Sequence, residues 1–227
     1  MSLLFVRHGQ ASAGSANYDR LSERGELQSQ RLGRWLVDSG HRFDSVLVGG
    51  MRRHRQTLEA IADAYGARGI ALPAAQTDSD LDEFDHHAVF DGFIRDHPQH
   101  PAVLARSTGS LQALGAMIHA ALGAWAEDRI GEVPETWQAF GARAVAAGER
   151  LAKLVGSGDV LVLTSGGVIS RLAQQSLGAP DRTAIDLNLS LRNSGLCEFH
   201  ARPYGLALGS WNALPHLHDA RELWTYY

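Results

Sequence analysis

Short apolar runs, each followed by a turn, recur along the chain and predict its fold. They lie at residues 3–6, 44–48 and 159–164. Runs of this length that end at glycine or at a polar turn predict buried strands. Residues 74–80 predict a further short strand at an edge of the same sheet.

Between these runs, apolar residues recur at helical spacing. Ser22 is a candidate N-cap, and the helix after it stops near Gly40. Its apolar residues share one predicted buried face: Leu27, Leu32, Trp35 and Leu36. A second helix follows the second strand, and residues 110–126 and 137–154 predict two more, with Leu114, Ile118, Leu122 and Trp125 on the buried face of the first of these.

Strands that alternate with helices in this order are typical of an α/β fold. We expect one domain over residues 1–227, a three-layer α/β/α sandwich with a mostly parallel sheet. Residues 86–155 are rich in alanine, leucine and glycine and predict a helical insertion that caps the ligand crevice. A hairpin turn is expected at residues 193–195. Three β-like segments predict antiparallel strands added to the sheet: residues 187–191, 196–200 and 206–211.

The composition narrows the class of protein. Of 227 residues, 44% are hydrophobic and 20% are charged, which is ordinary for a globular protein, and the net charge of −4 gives no basic footprint for nucleic acid. No run is long enough for a signal-peptide core or a membrane span. Cys197 is the single cysteine, so no intrachain disulfide can form. We therefore expect a cytoplasmic protein that binds neither nucleic acid nor membranes.

The first strand ends in Arg7 and His8, which would point into a crevice, because ligands bind past the carboxyl ends of strands in open α/β sheets. An arginine fork matches phosphate oxygens bidentately, and a neutral imidazole can act as a nucleophile. The pair predicts phosphoryl transfer through a phosphohistidine on His8. The loop at residues 11–17 is rich in Ala, Ser and Gly, which lets backbone N–H groups approach an anion. Gln10 and Asn17, at the ends of this loop, are predicted to bind substrate.

The second strand leads through Gly49-Gly50 into a helix that starts with Arg52, Arg53 and Arg55. Cationic side chains at a helix N-terminus oppose the macrodipole. The stretch therefore predicts an anion ligand, and a solvated basic face is the alternative. Arg52 and Arg55 are expected at the rim or in solvent.

Phosphoryl transfer also needs a proton for the departing oxygen. Glu83 lies between Leu81 and Phe84, and a carboxyl group beside apolar side chains can hold its proton near neutral pH. Asp82 and Asp85 compete with Glu83 on charge and spacing alone.

The strand at 159–164 runs into Ser165-Gly166-Gly167 and a further helix. A glycine-rich strand-to-helix turn exposes backbone N–H groups, and the helix start favours an anion. Ser165 and Gly166 are therefore predicted to bind phosphate. A serine hydrolase is an alternative, but the G-x-S-x-G pattern is absent because Leu163 stands at its first glycine.

The motifs around Arg7-His8, Arg53, Glu83 and Ser165 follow the order of the histidine phosphatase (phosphoglycerate mutase-like) superfamily, which the chain resembles over most of its length. The resemblance implies that His8 is the nucleophile, that Arg7 and Arg53 clamp the phosphoryl group, and that Glu83 is the general acid and base. It implies a small phosphorylated substrate and no metal or cofactor.

The chain departs from the family pattern at three places. Ser165 stands where the family usually has a second histidine, Gly49-Gly50 replace serine-proline, and His54 replaces alanine. Serine can donate one hydrogen bond but carries no charge, and a lost charge-assisted contact costs about 1.5–3 kcal/mol. His54, His86 and the nearby arginines are candidates to compensate.

Two further functions stay open. The family's mutases usually carry a tryptophan-asparagine pair soon after the first motif, and this chain has Ala16-Asn17-Tyr18 there, which favours a phosphatase. Because Ser165 replaces a histidine, a phosphate-binding or regulatory relative with weak turnover is the non-enzymatic alternative. A zinc site is not predicted, since the spacing does not fit one for the histidines at 86, 87, 97 and 100.

Overall fold

The computed structural model describes residues 2–12, 19–154 and 158–226. The strands are β1 Leu3–Arg7, β2 Ser45–Val48, β3 Ala75–Thr77, β4 Val160–Thr164, β5 Leu196–Arg202 and β6 Gly205–Ala213. The α-helices are α1 Glu23–Asp38, α2 Arg52–Gly66, α3 His86–Asp96, α4 Pro101–Ala105, α5 Leu111–Ala126, α6 Trp137–Leu154, α7 Gly166–Leu177 and α8 Asp181–Ser190.

The six strands form one mixed sheet in the order β3-β2-β4-β1-β5-β6. The first four run parallel, with Val6 beside Leu163 and Val48 beside the same leucine from the other side. β5 pairs antiparallel with β1, and β6 pairs antiparallel with β5. The expected α/β fold with a mostly parallel sheet is confirmed, and the carboxyl ends of β1, β2 and β4 meet at one edge.

The side chains of the strands alternate between two cores, as the two-residue period of a strand requires. Val6 and Leu163 point to one face, where they pack with Leu32 of α1 and Ile61 of α2. Phe5 and Val162 point to the other face and pack with helices α5 to α8. The sheet therefore lies between two helical layers.

The helices α3 to α6 lie between β3 and β4, over most of the predicted insertion. Leu111–Ala126 and Trp137–Leu154 form helices close to the expected bounds. Their aromatic side chains pack on Phe84, whose ring centroid lies 4.7 Å from that of Trp125 and 5.3 Å from that of Phe140. This contact joins the inserted helices to the segment that carries Glu83.

Three sequence predictions were wrong in detail. Residues 187–190 form the end of helix α8 and Leu191 caps it, because Ala184 and Ile185 bury one helical face against α7. The turn at 193–195 therefore links α8 to β5, and the β-hairpin is formed by β5 and β6 instead. Leu27 and Leu114 are exposed because each lies on the outer side of its helix. None of the described helices is long and apolar enough to span a lipid bilayer.

Candidate functional site

The site forms where β1, β2 and β4 end side by side. The backbone N–H of His8, just past β1, donates to Thr164 O at 3.0 Å, and that of Gly49, just past β2, donates to Leu163 O at 3.0 Å. These bonds extend the parallel ladder by one residue on each strand, so the turns after the three strands open into the same crevice.

The imidazole of His8 is held in one orientation and is only 5% exposed. Nδ1 lies 2.6 Å from Gly9 O, and a carbonyl can only accept, so Nδ1 carries the hydrogen and Nε2 has a free electron pair. The backbone carbonyl of His8 accepts from Ser194 N–H at 3.1 Å. Burial lowers the pKa of His8 well below its usual value, and the charges of Arg53, His54 and Arg7 lower it further. The histidine is neutral near pH 7 and able to attack through Nε2.

Arg53 contacts that nitrogen directly. Its Nε–H donates to His8 Nε2 at 3.1 Å, and its side chain is buried. The other end of the guanidinium contacts Asp19, with 2.9 Å between Nη1 and Oδ1. Asp19 also accepts from the backbone N–H of Arg52 at 2.8 Å and so satisfies the start of α2. The carboxylate of Asp19 thus supplies part of the negative charge that was expected at this helix start. Arg52 and Arg55 are exposed, as predicted.

Arg7 is the last residue of β1. Its guanidinium donates to Leu191 O and, at 2.7 Å, to Tyr226 O. A Cβ placed on Gly166 would lie 3.6 Å from Arg7 Cζ and 2.5 Å from Asn188 Oδ1. The arginine, the amide of Asn188 and the start of α7 therefore adjoin one another.

Glu83 lies just before α3 and reaches α7 across the crevice. Its Oε2 accepts from Gly167 N–H at 3.0 Å. Burial raises the pKa of Glu83, and the Gly167 N–H and the charges of Arg53 and Arg7 oppose that rise. A Cβ on Gly167 would collide with Glu83 Oε1 and meet Phe140 Cζ at 3.0 Å. Glycine at this position is what allows a carboxyl group to lie against the helix start.

Ser165 is the N-cap of α7, but its side chain does not bond to its own helix. Its Oγ lies 2.7 Å from His54 Nε2. His54 Nδ1 in turn lies 3.8 Å from Asp82 Oδ1. The rings of His54 and His8 are neighbours, with centroids 5.6 Å apart. Burial lowers the pKa of His54 and raises that of Asp82.

Most of the residues predicted from the sequence to form the site lie around this crevice: Arg7, His8, Arg53, Glu83, Ser165 and Gly166. The side chain of Gln10 accepts from Ser22 Oγ at 3.1 Å, next to the N-cap of α1. Asn17 lies outside the described residues. The assignment of Gln10 and Asn17 to substrate binding remains a prediction.

Sequence reasoning missed three residues that touch the site. Asp19 and Ser194 are single polar residues without a motif, and Asn188 lies in the segment misread as a strand. Ala184 and Asn188 are four positions apart, and recognising this helical spacing would have placed Asn188 on α8. Among residues 2–12, 19–154 and 158–226, no three His, Cys, Asp or Glu side chains are grouped to hold a metal ion.

The sequence model of the histidine phosphatase superfamily (branch 1) matches residues 3–214. This chain belongs to the histidine phosphatase superfamily. The match covers the motifs around Arg7-His8, Arg53, Glu83 and Ser165. Because this superfamily contains phosphatases and mutases, membership supports a phosphoryl-transfer function for the chain. No curated protein sequence matches the chain significantly.

Solved structures of similar fold cover nearly the whole chain. Phosphoglycerate mutase from Bacillus anthracis str. Sterne is 16% identical with a TM-score of 0.66, and the match covers 96% of this chain and 95% of that one. A mutant phosphoserine phosphatase from Entamoeba histolytica, in complex with phosphoserine, is 14% identical with a TM-score of 0.64, covering 95% and 98%. Alpha-ribazole phosphatase from Shigella flexneri is 20% identical with a TM-score of 0.59, covering 94% and 96%. At these identities the likeness establishes the fold.

Proposed function

We propose that this protein hydrolyses a small phosphomonoester through a phosphohistidine intermediate on His8. The observation that carries the proposal is the state of that imidazole. Nδ1–H is fixed by Gly9 O, Nε2 has a free electron pair, and Arg53 donates to Nε2 from 3.1 Å. A tetrahedral anion that replaces this contact would take the Arg53 hydrogen bond and present its phosphorus to Nε2.

The first half-reaction transfers the phosphoryl group to the enzyme. His8 Nε2 attacks phosphorus, a P–N bond forms, and the bond from phosphorus to the ester oxygen breaks. Glu83 gives its proton to the departing oxygen, which leaves as an alcohol. Burial raises the pKa of Glu83, which favours the protonated carboxyl group that this step needs.

The second half-reaction returns the enzyme to its starting state. Glu83, now a carboxylate, takes a proton from water as the water oxygen attacks phosphorus. The P–N bond breaks, inorganic phosphate leaves, and His8 is again a neutral imidazole. Arg7, Arg53 and the start of α7, with Ser165 and Gly166, offset the charge on the phosphoryl oxygens in both steps.

The surroundings of the site support three companion proposals. Residues 86–155 act as a cap within a single domain, because Glu83 leads directly into α3 and Phe140 of α6 lies at the crevice. The substrate is a small phosphorylated molecule, since two of the structures of similar fold are named as phosphatases of small molecules, phosphoserine phosphatase and alpha-ribazole phosphatase. The protein works in the cytoplasm, since its single cysteine is a buried, free thiol.

Hydrolysis of p-nitrophenyl phosphate by the wild type and by His8→Ala tests the proposed reaction. We expect turnover by the wild type, none above background in the variant, and acid-labile, alkali-stable radiolabel on the wild type after quenching with a labelled substrate. A panel of phosphomonoesters then identifies the substrate class. Turnover that survives His8→Ala, or phosphate binding without turnover, would refute the proposal. Phosphoryl return to a second alcohol in preference to water would favour a mutase.

A further inference from the structure

The three departures from the family pattern meet at one point beside His8. We propose that the second histidine of the site has been relocated rather than lost: His54 on α2 does its work, acting through the hydroxyl of Ser165 as a positioning residue for the phosphoryl group. The proposal rests on the phosphoryl-transfer function above and extends it to residues that the family pattern does not assign.

The contact between the two residues is direct and shielded from water. Ser165 Oγ lies 2.7 Å from His54 Nε2, and both residues are 0% exposed. The serine comes from the β4–α7 turn and the histidine from the first turn of α2, 111 positions apart in sequence. The imidazole holds the hydroxyl oxygen in place, so the directions left for its remaining hydrogen bonds are defined.

The glycines at 49 and 50 explain how the imidazole fits. A Cβ on Gly49 would collide with His54 Nδ1 and would approach Asp82 Oδ1 to 2.8 Å. A Cβ on Gly50 would lie 3.0 Å from Asp82 Oδ2. A serine at position 49 would leave no room for the ring, and a proline at position 50 would press on the Asp82 carboxyl group. The replacement of serine-proline by glycines and of alanine by histidine is therefore one steric change.

Asp82 backs the imidazole from the side opposite Ser165. Its Oδ1 lies 3.8 Å from His54 Nδ1, which is close enough for an electrostatic contact but too far for a hydrogen bond. A small rotation of either side chain would close this gap. The other charged or titratable groups that face His54 are His8, Arg53 and Arg55.

The arrangement gives Ser165 a charge-assisted role that a lone serine lacks. When a phosphoryl oxygen lies against Ser165 Oγ, the hydroxyl donates to that oxygen and accepts from His54 Nε2–H. Nδ1 then faces the Asp82 carboxyl group, and the two side chains share one proton, which is taken up from solvent when the anion binds. Hydrogen bonds in such a chain polarise one another, which strengthens the contact to phosphate.

A histidine swap tests the relocation. His54→Ala and Ser165→Ala should each lower kcat for p-nitrophenyl phosphate by about 10- to 100-fold, the loss of one charge-assisted contact. The double variant should lose no more than either single one, because the two side chains act as one unit. His54→Ala with Ser165→His restores the family residues at these two positions and should recover most of the rate. His200→Ala is the matched control and should keep wild-type rates, because His200 follows Phe199, which pairs with Leu3 at the end of β1 opposite the crevice.

Two results would overturn the relocation in an active enzyme. One is additive losses in the double variant together with a swap no faster than His54→Ala, with all variants folded by circular dichroism. The other is hydrolysis of p-nitrophenyl acetate that survives His8→Ala and is abolished by Ser165→Ala, since Ser165 would then be a nucleophile. His54→Gln, which keeps a hydrogen-bond donor, should retain more rate than His54→Ala. If His54 had a purely structural role, His54→Gln and His54→Ala would not differ in kcat while their melting temperatures stayed the same.

A binding measurement separates this proposal from the proposed hydrolysis. Inorganic phosphate added to the ¹⁵N-labelled wild type should shift the imidazole nitrogens of His54, assigned by their absence in His54→Gln. The same titration of Ser165→Ala should leave them nearly unmoved while phosphate still binds. Such shifts without any turnover would refute the hydrolysis and leave the His54–Ser165 phosphate contact standing. Unmoved His54 nitrogens in a phosphate-saturated wild type would refute the contact.

Discussion

Glu83→Gln is the perturbation that tests the proposed mechanism most directly. The amide has nearly the shape of the carboxyl group, and its oxygen can still accept from Gly167 N–H, which lies 3.0 Å from Oε2. The variant removes the transferable proton and little else. General acid catalysis contributes about 10²- to 10⁴-fold, which corresponds to about 3–5 kcal/mol in the barrier.

The loss should depend on the leaving group. An alkoxide is a poor leaving group and needs the proton, so kcat for an alkyl phosphate should fall by about 10²- to 10⁴-fold. Nitrophenolate leaves readily without a proton, so the formation of phosphohistidine from p-nitrophenyl phosphate, followed in single turnover, should fall far less. Asp85→Asn is the matched control, because Asp85 caps α3 through Ala88 N–H and asparagine is an equally good cap. It should leave both rates unchanged.

The pH dependence has a definite sign. Burial raises the pKa of Glu83 in the folded protein, and the protonated form is the active one. The wild-type rate with an alkyl phosphate should therefore fall as pH rises through that pKa, and Glu83→Gln should lack this descending limb. The same shift means that the stability from Glu83 is lost as pH rises through its folded-state pKa. Glu83→Gln should thus match the wild type in melting temperature at acid pH and equal or exceed it at pH 8.

Either of two results in folded protein would contradict the proposed role of Glu83. One is an equal loss of rate for alkyl and nitrophenyl phosphates in single turnover. The other is full activity of Glu83→Gln with an alkyl phosphate. Either result would mean that Glu83 does not deliver the proton.

Three smaller predictions follow from single contacts. Asp19→Asn weakens the competing partner of Arg53, so inorganic phosphate should inhibit the enzyme at several-fold lower concentration; weaker inhibition would contradict this. Ser22→Ala removes the N-cap of α1 and should cost about 1 kcal/mol in chemical denaturation. Burial lowers the pKa of His216 to about 3, so unfolding takes up a proton there, and stability should fall by about 2 kcal/mol between roughly pH 7.5 and 5. His216→Asn should remove that part of the slope.

The sequence alone determined the elements and the reacting groups. Buried strands such as 159–164 and helices such as 137–154 follow from local periodicity, which depends on neighbours within a few residues. Arg7-His8, Arg53 and Glu83 could be chosen because each follows a strand or lies in an apolar setting, and strand ends in a parallel sheet meet at one edge. The pattern was ambiguous at 187–191, where leucines at every second position also fit a helix with Ala184 and Ile185 buried.

Only the tertiary structure decided which polar groups pair across the crevice. The sequence named His54 as one of several residues that could compensate for Ser165, and it could not choose, because the two lie 111 positions apart. The contacts of Asp19 with Arg53 and of Asn188 with Gly166 likewise join residues far apart in the sequence. Hydrogen bonds act over about 3 Å. No local pattern encodes which distant side chains the packed strands and helices bring within that distance.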